Sequence, residues 1–141
     1  MLRPKKTKYR KVQKGRNRGL ASRCNALNIG KFGLKALQCG RIDDKQIESI
    51  RVIFTRILEK TGKMWIRVFP DKPITKKPAE VRMGSGKGDV DHYAAIIKPG
   101  TVIIEVDGVS RDVAIDASRN AGKKLPFKTK FIESRESSRY L

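Results

Sequence analysis

Asp43-Asp44-Lys45-Gln46-Ile47-Glu48-Ser49-Ile50-Arg51-Val52-Ile53-Phe54-Thr55-Arg56-Ile57-Leu58-Glu59-Lys60-Thr61-Gly62 is the stretch that organises this chain. Ile47, Ile50, Phe54, Ile57 and Leu58 recur at helical spacing, so one face is apolar and must be buried. Asp43 is placed to cap the N-terminus, Gln46 to complete a capping box, and Gly62 to end the helix at its C′ position. Directly afterwards, residues 63–69 alternate, with Met64, Ile66 and Val68 facing one way until Pro70 ends the strand. Before the helix, Phe32, Leu34 and Ala36 mark a first strand within residues 31–38.

The pattern continues outward. Residues 70–89 hold three prolines and three glycines with little apolar periodicity, which predicts a long loop. Residues 92–98 and 101–107 predict a hairpin around Pro99-Gly100, with Val102, Ile104 and Val106 alternating. Ser110 is placed to cap a second helix reaching Lys124, whose inner face carries Val113, Ala114, Ala117 and Ala121. Phe127, Thr129 and Phe131 predict a last strand, followed by a polar, frayed tail at 133–141. The order β-α-β-loop-β-β-α-β specifies an α+β fold, with two helices packed on one face of a mostly antiparallel sheet. A single domain over 31–132 would carry a basic extended arm at 1–30 and a long glycine-rich functional loop at 70–89.

Charge is distributed very unevenly along the chain. Of its 33 Lys and Arg residues, thirteen fall between Met1 and Ile42, a segment without Asp or Glu, while the whole chain has 14 acidic residues and a net charge of +19. An unopposed basic segment repels itself, and its first part, residues 1–30, shows no sustained period, so that arm is expected to be disordered in water and to order on a polyanion. Apolar runs reach only about four residues, too short to span a bilayer, and no secretory signal pattern follows Met1. Cys24 and Cys39, with His92 as the lone histidine, are too few for a disulfide scaffold or a structural zinc site. Nucleic acid is therefore the leading partner, and no membrane, metal or cofactor is expected.

The motifs support binding better than catalysis. Gly84-Ser85-Gly86-Lys87-Gly88 resembles a phosphate loop only superficially, because Val81 and Gly88 occupy positions where a Walker motif needs Gly and Ser or Thr. What remains is a glycine-rich loop flanked by Arg82 and Lys87, able to approach a phosphate closely. His92, near Glu80, Asp89 and Asp91, lacks a nucleophile or a second histidine, so the chain is expected not to be an enzyme. Tyr9 lies in the arm with no core to enter and is the better stacking candidate, whereas Trp65 reads as a packing residue.

Three segments carry a family resemblance. Met1-Leu2-Arg3-Pro4-Lys5-Lys6-Thr7-Lys8-Tyr9-Arg10-Lys11 leads into Lys14-Gly15-Arg16-Asn17-Arg18-Gly19; residues 62–75 follow the helix; and Lys77-Pro78-Ala79-Glu80-Val81-Arg82-Met83-Gly84-Ser85-Gly86-Lys87-Gly88 completes the set. In this order the chain resembles the large-subunit ribosomal protein sixteen family of the bacterial and organellar type, over residues 1–132. The resemblance implies a ribosomal protein, in a bacterial cytoplasm or an organelle, that binds large-subunit ribosomal RNA below the central protuberance. Its other implied partners are A-site transfer RNA, P-site transfer RNA and neighbouring ribosomal proteins. It also implies help in shaping the peptidyl-transferase region during late assembly, without performing its chemistry. Carried over by position, Arg3, Lys5, Lys6, Lys8, Arg10, Lys11, Lys14, Arg16 and Arg18 would neutralise the RNA backbone. Arg82, Met83, Gly84, Gly86, Lys87 and Gly88 would form the loop aimed at the functional centre. The competing class is an architectural nucleic-acid-binding protein acting outside the ribosome.

Overall fold

A computed structural model of the chain describes residues 1–134. The elements run β1 (Phe32–Ala36), β2 (Gly40–Asp43), α1 (Asp44–Leu58), β3 (Lys63–Ile66), β4 (Lys72–Lys76), β5 (Asp89–Ile97), β6 (Val102–Asp107), α2 (Arg111–Gly122) and β7 (Thr129–Glu133). Among the described residues the architecture is α+β, with two helices and all strand pairs antiparallel. The strands form two sheets rather than one, of order β3-β6-β1-β7 and β2-β5-β4. Helix α2 packs on β1 and β7, while α1 packs on α2, β3 and the second sheet through β2 and β5. One core, including Leu34, Ile42, Ile50, Phe54, Ile97, Ile104 and Ala117, joins both sheets to both helices.

Helix α1 follows its apolar stripe, with Ile47, Ile50, Phe54 and Leu58 buried. At its start the Asp43 N–H donates to Gln46 Oε1 at 3.0 Å, as the capping-box spacing requires. Its end departs from expectation. Helical geometry stops at Leu58, and Glu59, not Gly62, takes the left-handed backbone at φ 53°. Gly62 serves a packing purpose instead, since a Cβ there would lie 2.7 Å from Val109 Cγ1.

The expected hairpin around Pro99-Gly100 does not form, because β5 pairs with β2 and β4 while β6 pairs with β1 and β3. The turn itself is present. The Thr101 N–H donates to Lys98 O at 3.1 Å, and Gly100 has φ 97°, the conformation that a Pro-Gly turn demands at its glycine. Beyond it, β1 captures the chain, with Gly100 N–H donating to Ala36 O and Ala36 N–H donating to Thr101 O. The turn therefore passes the chain from one sheet to the other.

Residues 70–89, whose proline and glycine content predicts a loop throughout, contain β4. Pro73 masks it, and β4 tolerates the missing N–H because it lies at a sheet edge. With β5 it makes a hairpin whose irregular connection is residues 77–88. The stem of that connection is tight: a Cβ on Gly88 would sit 2.9 Å from Lys77 Cγ and 3.1 Å from the Lys76 backbone. The last strand extends to Glu133, which pairs with Phe32 in register and forms an ion pair with Arg111. The rest of the expected tail, 135–141, lies outside the described residues.

The arm has no helix or strand, yet its second half is held against the domain. Asn17 Nδ2 donates to Gly40 O and Ile97 O, which face each other at one end of the β2–β5 ladder. Ala21 N–H donates to Pro99 O, and Cys24 O accepts from Val102 N–H. The Glu105 carboxylate, fully buried in β6, then accepts from Ile29 N–H at 2.7 Å and Gly30 N–H at 2.8 Å, with Asn28 N–H at 3.3 Å and the Arg67 guanidinium completing its shell. These contacts hold residues 17–30 against the domain. The reason is that residues 19–30 contain only Arg23 as a charged side chain and can lie on an apolar sheet.

Burial alone would raise the Glu105 carboxyl, but the N–H groups of Gly30, Ile29 and Asn28 and the Arg67 guanidinium together hold it below the usual carboxylate range. In the unfolded chain that carboxyl binds a proton at a pH where the folded one does not. Its contribution is therefore complete above the ordinary range and is lost as pH falls through the folded value. Glu105→Gln should cost about 3 kcal/mol of stability near neutral pH, the scale for breaking a buried ion pair, and should flatten the acid limb of a thermal-unfolding pH series. Unchanged melting and an unchanged acid limb would refute this. Gly88→Ala should cost about 1–3 kcal/mol through overpacking. Gly86→Ala meets no neighbour but must hold a φ of 95°, so it should also cost about 1–3 kcal/mol, through backbone strain rather than contact; chemical denaturation measures both.

Candidate nucleic-acid interface

The arm follows one continuous route. It starts beside β3, where Leu2 lines a groove with Met64, Trp65 and Phe69. It then passes the base of the β4–β5 hairpin. There Arg10 Nη2 lies 3.2 Å from Asp89 Oδ1, Lys11 Nζ donates to Lys87 O at 3.0 Å, and Lys72 Nζ donates to the Lys14 carbonyl. Two basic segments far apart in sequence, residues 10–14 and the hairpin carrying Lys72 and Lys87, thus meet on one side of the molecule. Asp89 is 84% exposed, so its pairing with Arg10 is worth about 1 kcal/mol or less and yields readily to a competing phosphate.

Arg3, Lys5, Lys6, Lys8, Arg10, Lys14, Arg16 and Arg18 are all exposed, and Lys11 is half-buried. Lys8 Nζ lies 5.6 Å from the Tyr9 ring centroid, leaving that ring 67% exposed. Glycines at 15 and 19 have positive φ, which turns the arm between its cations. Arm and hairpin cations therefore point to solvent, where a polyanion can reach them.

In the hairpin loop, Gly84, Ser85 and Gly86 have φ values of 101°, 60° and 95° in succession. Side chains at Gly84 and Gly86 would meet nothing within 4 Å, so these glycines are there for backbone conformation and not for space. Lys77 Nζ donates to Gly84 O at 2.6 Å and draws the loop closed. Arg82, Met83 and Lys87 are exposed, Met83 to 87%. The Arg82 side chain makes no hydrogen bond or ion pair among the described residues. A cation and a large apolar side chain held in water at a hairpin tip have no structural use within this chain.

Other sequence candidates resolve differently. His92 bridges two carboxylates, with Nε2 3.2 Å from Asp43 Oδ1 and Nδ1 2.8 Å from Asp91 Oδ2, and its hydrogen bond lowers the Asp91 carboxyl. It links β5 to the start of α1. Trp65 is half-buried opposite Glu105 in the β3–β6 pair. Cys24 and Cys39 are free thiols, and no group of three His, Cys, Asp or Glu side chains could hold a metal among the described residues. Sequence reasoning missed Lys72, Asn17, Arg67 and Glu105. The signal available for Glu105 was an acid breaking the apolar run Val102-Ile103-Ile104-Glu105-Val106.

A family model described as ribosomal protein L16p/L10e matches residues 4–132, which includes the arm, both sheets and the hairpin loop. The large ribosomal subunit protein uL16 of Sulfurihydrogenibium sp. (strain YO3AOP1) is 54% identical over 136 residues, covering 96% of this chain and 99% of its own. The match spans the arm as well as the folded core, and on that ground the chain belongs to the ribosomal protein L16p/L10e family.

Proposed function

We infer that this chain, a structural protein of the large ribosomal subunit, anchors itself on large-subunit ribosomal RNA through the arm and presents the 77–88 loop to transfer RNA at the A site, with P-site transfer RNA as a further contact. The observation that carries this reading is the convergence of arm and hairpin. Arg10, Lys11 and Lys14 lie against the hairpin stem, while Arg82 and Met83 extend into solvent at its tip. Cations at the stem neutralise phosphates and set register, which leaves the tip to reach beyond the anchoring RNA. The loop glycines allow the backbone to approach a phosphate closely. Nothing in this arrangement performs bond-making chemistry; its contribution is position and charge.

Sucrose-gradient sedimentation at low and high salt tests the assembly reading. The chain should migrate with large subunits and with translating ribosomes, and its absence from those fractions would refute it. If about eight of the arm and hairpin cations meet phosphate together, log affinity for ribosomal RNA should fall against log salt with a slope of about −6. A nearly flat response would count against phosphate anchoring. Arg82→Ala should enter large subunits and shift the melting temperature by less than about 3 °C, as a surface change does, yet lower translation by the assembled ribosomes. A large loss of thermal stability with unimpaired translation would reverse the assignment of Arg82 to the functional loop.

A further inference from the structure

A cleft of about 680 Å³ opens where the arm crosses the β3–β4 connection and the end of β5. Val12 from the arm, Phe69 and Pro73 supply an apolar wall. Phe69 is 48% exposed, so part of its ring is open to a stacking partner. Arg23, Lys72 and Lys98 bring positive charge from three separate segments, and Asp71 is the sole acidic side chain in the lining among the described residues. Among the described residues, the side chains of Arg23, Lys98 and Asp71 make no hydrogen bond or ion pair. Arg67 also lines the cleft, but its guanidinium is committed to Glu105.

This combination is specific in its chemistry. An apolar wall with a few convergent polar groups, at this volume, suits a ligand the size of one nucleotide, within the roughly 300–1,000 Å³ of small-molecule sites. The free cations favour an anionic ligand. The carboxylate repels phosphate and can only accept hydrogen bonds, so on a base edge it selects N–H donors. Among the RNA bases, guanine alone offers two adjacent donors, N1–H and the N2 amino group, to one carboxylate. Adenine and cytosine pair one amino donor with a ring-nitrogen acceptor, and uracil flanks its N3–H with carbonyls.

We propose that this cleft takes one unstacked guanine nucleotide of RNA, a reading that rests on the RNA-binding function above and gives it a defined site. The base lies on Phe69, Asp71 accepts from its N1–H and N2 amino group, and Arg23 and Lys98 hold the flanking phosphates. Because Val12 and Arg23 belong to the arm, the site exists only when the arm is docked.

The test titrates the full chain with hairpin RNAs that differ in one bulged nucleotide, G, A, C or U, beside a hairpin with no bulge. The bulged-G hairpin should bind about tenfold tighter than the unbulged one, the scale of one stacked base. Asp71→Asn should abolish the preference for G over A and leave affinity for the unbulged hairpin unchanged. Phe69→Ala should weaken all four bulged hairpins together. Both side chains are exposed, so these variants retain the fold. Equal affinity for all five RNAs, with Asp71→Asn silent, would overturn the guanine site, leave the RNA-binding reading standing, and free the cleft for an apolar side chain of a neighbouring protein. No binding to any hairpin would overturn both.

Discussion

The buried carboxylate of Glu105 is the interaction on which the rest of this molecule depends. It sits inside a β-strand with apolar neighbours, and it is matched by consecutive backbone N–H groups at 28–30 and by the Arg67 guanidinium. An unpaired charge at that depth would cost several kcal/mol. The segment entering β1 must therefore turn its amides inward over β6. Gly30 is part of this requirement, because a Cβ there would lie 2.6 Å from the Val106 carbonyl oxygen. One acid thus ties together the arm, the central strand β6 and the end of β3.

Once residues 28–30 are held, the rest of the arm has little choice of direction. Ala21 and Cys24 bond to the β5–β6 turn and to β6, and Asn17 closes the end of the β2–β5 ladder. That path carries Arg10, Lys11 and Lys14 to the hairpin stem. The most basic segment of the chain is consequently presented along one side rather than dispersed. The same path creates the cleft between Val12, Arg23 and Phe69. Anchoring a charged arm through its less basic second half leaves most of its cations exposed to an outside partner.

Much of the local structure was legible in residues 31–134. The stripe of α1, the alanine face of α2, and the alternation of β3 and β6 each express a short-range period, and these elements form there, although β3 stops at Ile66 rather than running to Phe69 and β7 starts at Thr129, leaving Phe127 outside it. The errors have particular causes. Strand β4 was masked by Pro73, a penalty that vanishes at a sheet edge. Strand β2 is only four residues long and runs directly into α1. Residue type points to Gly62 as the end of α1, whereas Glu59 takes the positive φ and Gly62 answers to Val109. At the candidate interface, the exposed cations of 3–18 and of the loop were evident from composition. Lys72 and Asp71 were not, because an isolated charge beside a proline reads as an ordinary turn.

The sequence by itself determined the periodic elements, the α+β class, the basic excess and the glycine-dependent loop, because each of these depends on neighbouring residues or on simple sums. Only the tertiary structure decided that there are two sheets, that the Pro99-Gly100 turn crosses between them, and that the arm meets the hairpin. Those outcomes rest on backbone hydrogen bonds and a buried ion pair between residues that lie far apart along the chain. Strand propensity states that a segment will pair, but it does not name the partner. The buried charge at Glu105 names one, because its carboxylate has to find donors, and the amides of 28–30 and the guanidinium of Arg67 are the groups that reach it.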